Sequence, residues 1–93
     1  MQKTIIAFYK FVDIDDPKKV LFDIKKVIHG TSIVGSIILS KEGINGMCSS
    51  DKIEIEILKN FLFKNPLFNN VDIKESFYKD NPFKKFSIKI KKE

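Results

Sequence analysis

The sequence predicts a single α+β domain, residues 1–93, in which two helices cover one face of a β-sheet. Apolar segments with strand and helix periodicity follow one another in the order β-α-β-β-α-β, with one further strand at the end. The length of 93 residues suits one compact domain. Hydrophobic residues make up 43% of the chain and nine residues are Phe, which is too apolar a composition for disorder.

The first strand and the first helix have clear local signals. The segment "TIIAFYKF", residues 4–11, is rich in β-branched and aromatic residues, which is typical of a buried strand. Asp16 and Pro17 predict the start of a helix, because Asp is a good N-cap and Pro is tolerated at the first helical position. Gly30 predicts its end. The predicted buried stripe of this helix contains Val20, Leu21, Ile24, Val27 and Ile28.

A hairpin is predicted next. Residues 32–40 form its first strand, in which Gly35 marks a bulge or a close backbone approach. Residues 41–46, "KEGING", contain a turn of four or five residues. Residues 47–49 form a short third strand. An anion-binding nest is the less favoured interpretation of this turn, because neither a P-loop nor G-x-G-x-x-G is present.

The second half of the chain predicts a helix and two strands. Ser50 or Asp51 caps a helix over residues 52–64, and Asn65-Pro66 ends it. Its predicted buried stripe contains Ile53, Ile57, Leu58, Phe61 and Leu62. Residues 71–77 alternate as a half-buried strand, and residues 83–92 alternate with a basic outer face.

This order of elements is the split β-α-β pattern of ferredoxin-like folds, of which acylphosphatase is an example. Right-handed crossovers place the first and third strands in the middle of an antiparallel sheet, with both helices on one face and the extra strand at the C-terminus. The second face of the sheet is predicted to be open. Related folds hold RNA on an open face that displays aromatic residues and lysines.

The charge of the chain is compatible with a polyanionic partner. All 17 basic residues are lysines, against 12 acidic residues, for a net charge of +5. Lysine attracts phosphate as a point charge without arginine's planar fork, so contacts to the nucleic-acid backbone are expected rather than base reading. The candidate RNA-binding residues are Lys10, Lys41, Lys84, Lys85, Lys89 and Lys91. The candidate base-stacking residues are Tyr9, Phe11 and Tyr78. The alternative role for the lysines of the last strand is to prevent edge-to-edge aggregation.

The sequence gives little support for catalysis or metal binding by this domain. Cys48 lies mid-strand, where a free cysteine most often fills apolar space. His29, the only histidine, lies in the last turn of the first helix, where it favourably meets carbonyl groups. Asp13, Asp15 and Asp16 lack the spacing of a calcium loop. We therefore expect no catalytic residue, no cofactor and no metal.

The sequence has no secretory signal and no apolar stretch near the ~18 residues that span a bilayer. We expect a cytoplasmic protein that does not bind a membrane.

Four segments together resemble one known family. They are "FYKFVDIDD" at residues 8–16, "LSKEGINGM" at 39–47, "FNNVDIKES" at 68–76 and "NPFKKFSIKIKKE" at 81–93. They resemble the amino-terminal domain of the rhodanese-related tRNA uridine hydroxylases, which form 5-hydroxyuridine at the wobble position of certain tRNAs with molecular oxygen. One departure is Met47, where the family usually has threonine.

The resemblance implies a ferredoxin-like domain that positions tRNA for a rhodanese domain expected to follow residue 93. The cysteine needed for activity would lie in that rhodanese domain, so the enzyme would be the longer protein rather than this domain alone. The resemblance transfers the motif turn of Glu42, Gly43, Ile44, Asn45 and Gly46, together with Lys74, Glu75, Ser76, Pro82 and Phe83.

Two other hypotheses remain open at this point. In the first, the domain is structural and docks on its rhodanese partner without touching RNA. In the second, it is a stand-alone enzyme similar to acylphosphatase. The enzyme hypothesis is weakened because the acylphosphatase reaction relies on an arginine that grips the acyl phosphate, and this chain has none.

Overall fold

The computed structural model describes residues 2–80 and 82–92 of the chain. It contains two helices and five strands in the predicted order. Their bounds are β1 Lys3–Phe11, α1 Pro17–Ile28, β2 Val34–Ser40, β3 Gly43–Ser50, α2 Lys52–Lys64, β4 Asp72–Tyr78 and β5 Phe86–Ile90. The strands and helices therefore confirm the predicted α+β class.

The five strands form one sheet in the order β4-β1-β3-β2-β5. The first four strands are antiparallel to their neighbours, with β1 and β3 in the middle, as predicted. The added strand β5 runs parallel to β2, so the sheet is mixed rather than wholly antiparallel. Strands β4 and β5 lie at opposite edges of the sheet, and β5 pairs with β2 in the same direction.

The core lies between the helices and one face of the sheet. Helix α1 contributes Val20, Ile24 and Ile28, and the central strands contribute Ile6, Phe8 and Cys48, all buried. Asp16 caps α1 by accepting a hydrogen bond from the Lys19 N–H (3.2 Å), and Pro17 follows it, as predicted.

The predicted stripe of α2 was wrong at its outer positions. Ile53 is 79% exposed and Ile57 is also exposed, whereas Ile55, Leu58 and Leu62 are buried against the sheet. The helix is apolar on more than one side, so its sequence contains two overlapping stripes. Contacts with the sheet select the second stripe.

The hairpin turn is shorter than predicted. Ser40 pairs with Gly43, so the turn contains only Lys41 and Glu42, and the residues Gly43 to Gly46 belong to β3. The Val12 and Ile14 N–H groups donate to the turn carbonyls of Glu42 (3.0 Å) and Lys41 (2.9 Å). These two hydrogen bonds fix the turn against the segment that follows β1.

The second face of the sheet is open at only one end. The strand register places Ile5, Ser49 and Tyr9 on the face opposite the helices. Ile5 and Ser49 are buried although they point away from the helices, whereas Tyr9, nearer the hairpin turn, is half exposed. The described residues 79, 80 and 82–85 lie between the end of β4 and the start of β5, at the end of the sheet where Ile5 lies. The prediction of an open face therefore holds for the half of the face next to the β2–β3 turn.

Candidate nucleic-acid interface

Two aromatic side chains stand on the open half of the sheet. Tyr9 and Phe11 lie two residues apart on β1, so they point to the same face. Tyr9 is 50% exposed and Phe11 is 84% exposed. Their ring centroids are 6.0 Å apart with an interplanar angle of 68°, an edge-to-face contact. We call this part of the molecule the open face: the side of the sheet opposite the helices, from the row of Ala7 to the β2–β3 turn.

Two shallow depressions adjoin each other on the open face. The first has a volume of about 330 Å³ and the second about 300 Å³. Tyr9 and Asn45 line both. The first also contacts Phe11, Ile38 and Lys91, and the second also contacts Ala7, Met47 and Lys74. An apolar floor with an ammonium group at its rim can hold a planar apolar ligand that has an anionic group.

The structure brings four of the six predicted lysines to this end of the sheet. Lys10 and Lys91 line the first depression. Lys89 pairs with Ile38 and lies on the open face. Lys41, in the turn, lines a third depression of about 460 Å³ together with Lys91. Lys89 and Lys91, which we call the lysine rim, lie on the same side of the sheet as the aromatic pair. Lys10 alternates with Tyr9 and Phe11 along β1, and the depression at Lys41 also contacts Asp16 and Lys18 at the start of α1.

Three other predicted residues lie away from this cluster. Lys84 and Lys85 are exposed and precede β5, at the end of the sheet opposite the turn. Tyr78 pairs with Lys3, six residues along β4 from Asp72, the partner of Tyr9. That separation is roughly 20 Å at the rise of a β-strand, so Tyr78 does not share the site of Tyr9 and Phe11.

Sequence reasoning named Asn45 and Lys74 as family-motif residues but did not assign them to this site. Asn45 was interpreted as a turn residue, but it lies in β3 opposite Tyr9, and its side chain lines both depressions. Lys74 is brought beside Ala7 by the pairing of β4 with β1. The alternation of Asp72, Lys74 and Ser76 predicted that Lys74 lies on the polar face of its strand. The sequence alone does not show which strand lies next to β4.

Carboxylates also border the site. Glu42 lines the first depression and Asp72 lines the second. The open face therefore has mixed charge with an excess of lysines, and its attraction for phosphate is moderate.

Groups with nucleophilic or metal-binding chemistry lie elsewhere. Cys48 is fully buried on the helix side of the sheet, and burial raises the pKa of its thiol to about 12, which keeps it protonated. His29 is the exposed C-cap of α1. Across residues 2–80 and 82–92, no group of three or more His, Cys, Asp or Glu side chains is arranged to hold a metal ion. In the same residues, no helix is both long and apolar enough to cross a bilayer.

The fold defines a class of protein: a ferredoxin-like domain of the acylphosphatase type, with two helices on one face of a five-stranded sheet. Within this class, the chain belongs to the family described as the UPF0176 acylphosphatase like domain, whose model matches residues 3–93.

Curated relatives have one name in common. The chain is 35% identical over 89 residues to the tRNA uridine(34) hydroxylase of Acinetobacter baumannii (strain AYE), covering 96% of this chain and 28% of that protein. It is 33% identical over 94 residues to the tRNA uridine(34) hydroxylase of Legionella pneumophila (strain Corby), covering 100% of this chain and 37% of that protein. The chain thus spans about a third of the length of these relatives.

Solved structures share the fold at low sequence identity. The BLUF protein BlrB in its dark state has a TM-score of 0.76 at 11% identity, over 96% of this chain and 71% of that one. An acylphosphatase from Coxiella burnetii has a TM-score of 0.64 at 14% identity, over 95% of this chain and 93% of that one. These similarities confirm the acylphosphatase-like architecture and concern the fold alone.

Proposed function

We propose that this chain is the tRNA-positioning N-terminal domain of a cytoplasmic, rhodanese-family tRNA uridine hydroxylase that forms 5-hydroxyuridine at the wobble position. Membership of the family and the names of its relatives support the assignment to tRNA modification. In this proposal the domain binds tRNA and is not catalytic alone. A covalently linked rhodanese domain supplies the chemistry, and the greater length of the relatives leaves room for such a domain.

One structural observation supports RNA contact above all others. Tyr9, Phe11 and Lys91 line one depression on a part of the sheet that no helix or strand of the described residues covers. Exposed aromatic rings stack on unpaired bases, and lysines neutralise phosphates without regard to sequence. The combination predicts binding that is weakened by salt and has little sequence preference.

The proposal is tested by the salt dependence of tRNA binding. Each phosphate contact contributes close to one unit to the slope of log K against log salt, so replacing Lys74, Lys89 and Lys91 with Ala should reduce that slope by about 2 to 3 units. The measurement is a filter-binding or anisotropy titration of unmodified tRNA at several salt concentrations.

A matched control removes the same charge from the opposite side of the molecule. Lys25 and Lys26 are exposed on α1 and Lys64 is exposed at the end of α2, so their replacement with Ala lowers the net charge equally. We expect this control to leave the slope within about one unit of the wild-type value. Equal losses in the two triple variants would show that only the overall charge matters, and an unchanged slope in the first variant would remove its three lysines from the interface.

The second candidate function is docking of the domain on a partner domain, and a specific observation favours it. Ile53, Ile57 and Phe63 are exposed on α2, on the side of the molecule opposite the open face. Exposed apolar clusters mark interaction surfaces. The occupant in this hypothesis is the further domain that accounts for the greater length of the relatives.

The docking hypothesis predicts different effects in two forms of the protein. The pair Ile53→Ser and Ile57→Ser should change the stability of the 93-residue chain by less than about 0.5 kcal/mol, because both side chains are exposed. In the complete gene product the same pair should lower the unfolding midpoint, measured by calorimetry. Equal midpoints with and without the substitutions would contradict docking through α2.

The third hypothesis, acyl phosphate hydrolysis by the chain alone, is tested by direct assay of turnover above background.

A further inference from the structure

We propose that the two depressions on the open face form a site for two successive unpaired nucleotides of RNA. This inference rests on the tRNA-binding function proposed above and specifies the part of the RNA that the domain contacts. Its basis is that each depression has its own apolar surface and at least one lysine, while Tyr9 and Asn45 are shared between them. Paired bases in a duplex are stacked inside the helix and do not present their faces to such a surface, so the ligand is single-stranded.

The aromatic geometry separates the two base positions. Phe11 is on the first depression only, and Tyr9 is on the ridge that both depressions share. The interplanar angle of 68° between the rings means that one base cannot lie flat against both rings at once. The base in the first depression therefore stacks on Phe11, and the base in the second lies against Tyr9 and Met47. Stacking would cover Phe11, which has the most exposed large hydrophobic side chain in the described residues.

The Asn45 side chain provides the polar contact at the centre of the site. It is exposed, and its amide makes no hydrogen bond to any part of the chain that the structure describes. An amide has a carbonyl acceptor and two N–H donors, so it can bind the edge of any base that presents a donor next to an acceptor. Asn45 therefore orients a base without selecting strongly among the four, which agrees with the absence of arginine from the chain.

The charges on the open face indicate that stacking must supply part of the affinity. Lys91 faces the first depression and Lys74 faces the second, but each depression also contacts a carboxylate, Glu42 and Asp72 respectively. Phosphate attraction alone is thus partly cancelled at each position. Stacking contributes about 1 to 3 kcal/mol per base in single-strand binding, which corresponds to roughly 5- to 150-fold in affinity.

The experiment compares two ligands that differ only in their bases. One is hexauridylate, and the other is an abasic hexamer with the same ribose–phosphate backbone. Tyr78→Phe leaves Tyr9 as the only tyrosine of a chain that contains no tryptophan, so the fluorescence of this variant reports on Tyr9. We expect hexauridylate to bind at least about tenfold more tightly than the abasic hexamer at low salt. After correction for RNA absorbance, Tyr9 fluorescence should be quenched by hexauridylate only.

Substitutions test whether the preference for hexauridylate over the abasic hexamer comes from the open face. Tyr9→Ala combined with Phe11→Ala should abolish the tenfold preference and leave the affinity for the abasic hexamer unchanged. Asn45→Ala should weaken hexauridylate alone, by about threefold. Phe22→Ala is the matched control, because Phe22 is an exposed aromatic residue on α1, and it should keep the full preference. Circular dichroism of each variant confirms that it is folded.

The outcomes separate this inference from the function on which it rests. If both hexamers bind equally with the same salt dependence, and Tyr9 is not quenched, the nucleotide site is wrong while the salt-dependent tRNA contact stands. If neither hexamer binds and tRNA does not bind either, the proposed function fails and the nucleotide site fails with it.

Discussion

At the scale of single residues, two glycines determine how closely the strands approach each other. A Cβ atom at Gly35 would lie 2.1 Å from the Met47 carbonyl oxygen, and a Cβ atom at Gly43 would lie 2.1 Å from that of Lys10. The close approach at Gly35 was predicted from an isolated glycine within a strand. Gly43 was assigned to a turn instead, because glycines beside Asn45 are typical of turns. The sequence does not distinguish a glycine that a turn requires from one that a neighbouring strand requires.

Replacing Gly43 with Ala should destabilise the domain by roughly 3 kcal/mol or more, because the backbone has φ +153° and the new methyl group would overlap the Lys10 carbonyl oxygen. Gly30→Ala is the control, since Gly30 also has a positive φ, +81°, but nothing lies within 4 Å of its Cβ position. It should cost only about 1 to 2 kcal/mol. Urea unfolding measures both, and equal costs would contradict the close approach of β3 to β1.

At the scale of elements, α2 shows where a periodic pattern is insufficient. The helix "KIEIEILKNFLFK" has apolar residues on more than one side, and counting i, i+4 matches selected Ile53 and Ile57. The structure buries Ile55 instead, together with Leu58 and Leu62 against the sheet, and in this orientation Lys52 and Lys59 also meet Glu75 of β4. The information that decides between the two stripes comes from another strand and is not local. In α1, where Val20, Ile24 and Ile28 form a single stripe, sequence reasoning identified the buried residues correctly.

The orientation of α2 predicts unequal effects of two similar substitutions. Ile55→Ala should lower the free energy of unfolding by about 2 to 4 kcal/mol, because its side chain is fully buried. Ile53→Ala should change it by less than about 0.5 kcal/mol, because that side chain is 79% exposed. Chemical denaturation of the two variants measures the difference, and the reverse order would restore the stripe that the sequence pattern predicted.

The ion pairs between α2 and β4 add a dependence on pH. Glu75 accepts a hydrogen bond from Lys59 (3.0 Å) and lies 3.6 Å from Lys52. The hydrogen bond from Lys59, with a smaller contribution from the charges of both lysines, lowers the pKa of the Glu75 carboxyl below its ordinary value of 4.5. A lowered pKa in the folded state means that the charged carboxylate stabilises the fold above pH 4.5, and that this stabilisation is lost as the pH falls through the folded-state pKa.

Glu75→Gln should therefore cost about 0.5 to 1 kcal/mol at neutral pH, a typical value for a partly exposed network. The difference between wild type and variant should shrink as the pH falls below 4.5, where the wild-type carboxylate becomes protonated. Thermal unfolding across this range provides the measurement. In a Lys59→Met background the cost at neutral pH should be smaller, and a cost independent of both pH and Lys59 would show that the ion pair does not stabilise the fold.

At the scale of the whole molecule, the order of elements was sufficient to predict the topology, because few arrangements of β-α-β-β-α-β satisfy right-handed crossovers. The direction of β5 and the burial of Ile5 and Ser49 were not predictable, since both depend on how distant parts of the chain come together around the sheet. For the same reason, the sequence identified the candidate lysines but did not show that some lie near Tyr9 while Lys84 and Lys85 lie at the other end of the sheet.

The central claim of this account is that the open face holds tRNA, and chemical-shift mapping of the ¹⁵N-labelled chain during titration with tRNA tests it most directly. The account predicts that the largest amide shifts occur on the open face and the lysine rim, at Tyr9, Phe11, Asn45, Lys89 and Lys91, with the amides of α1 and α2 little changed. Largest shifts on α2 around Ile53 and Ile57, with the β1 and β3 amides unchanged, would contradict it.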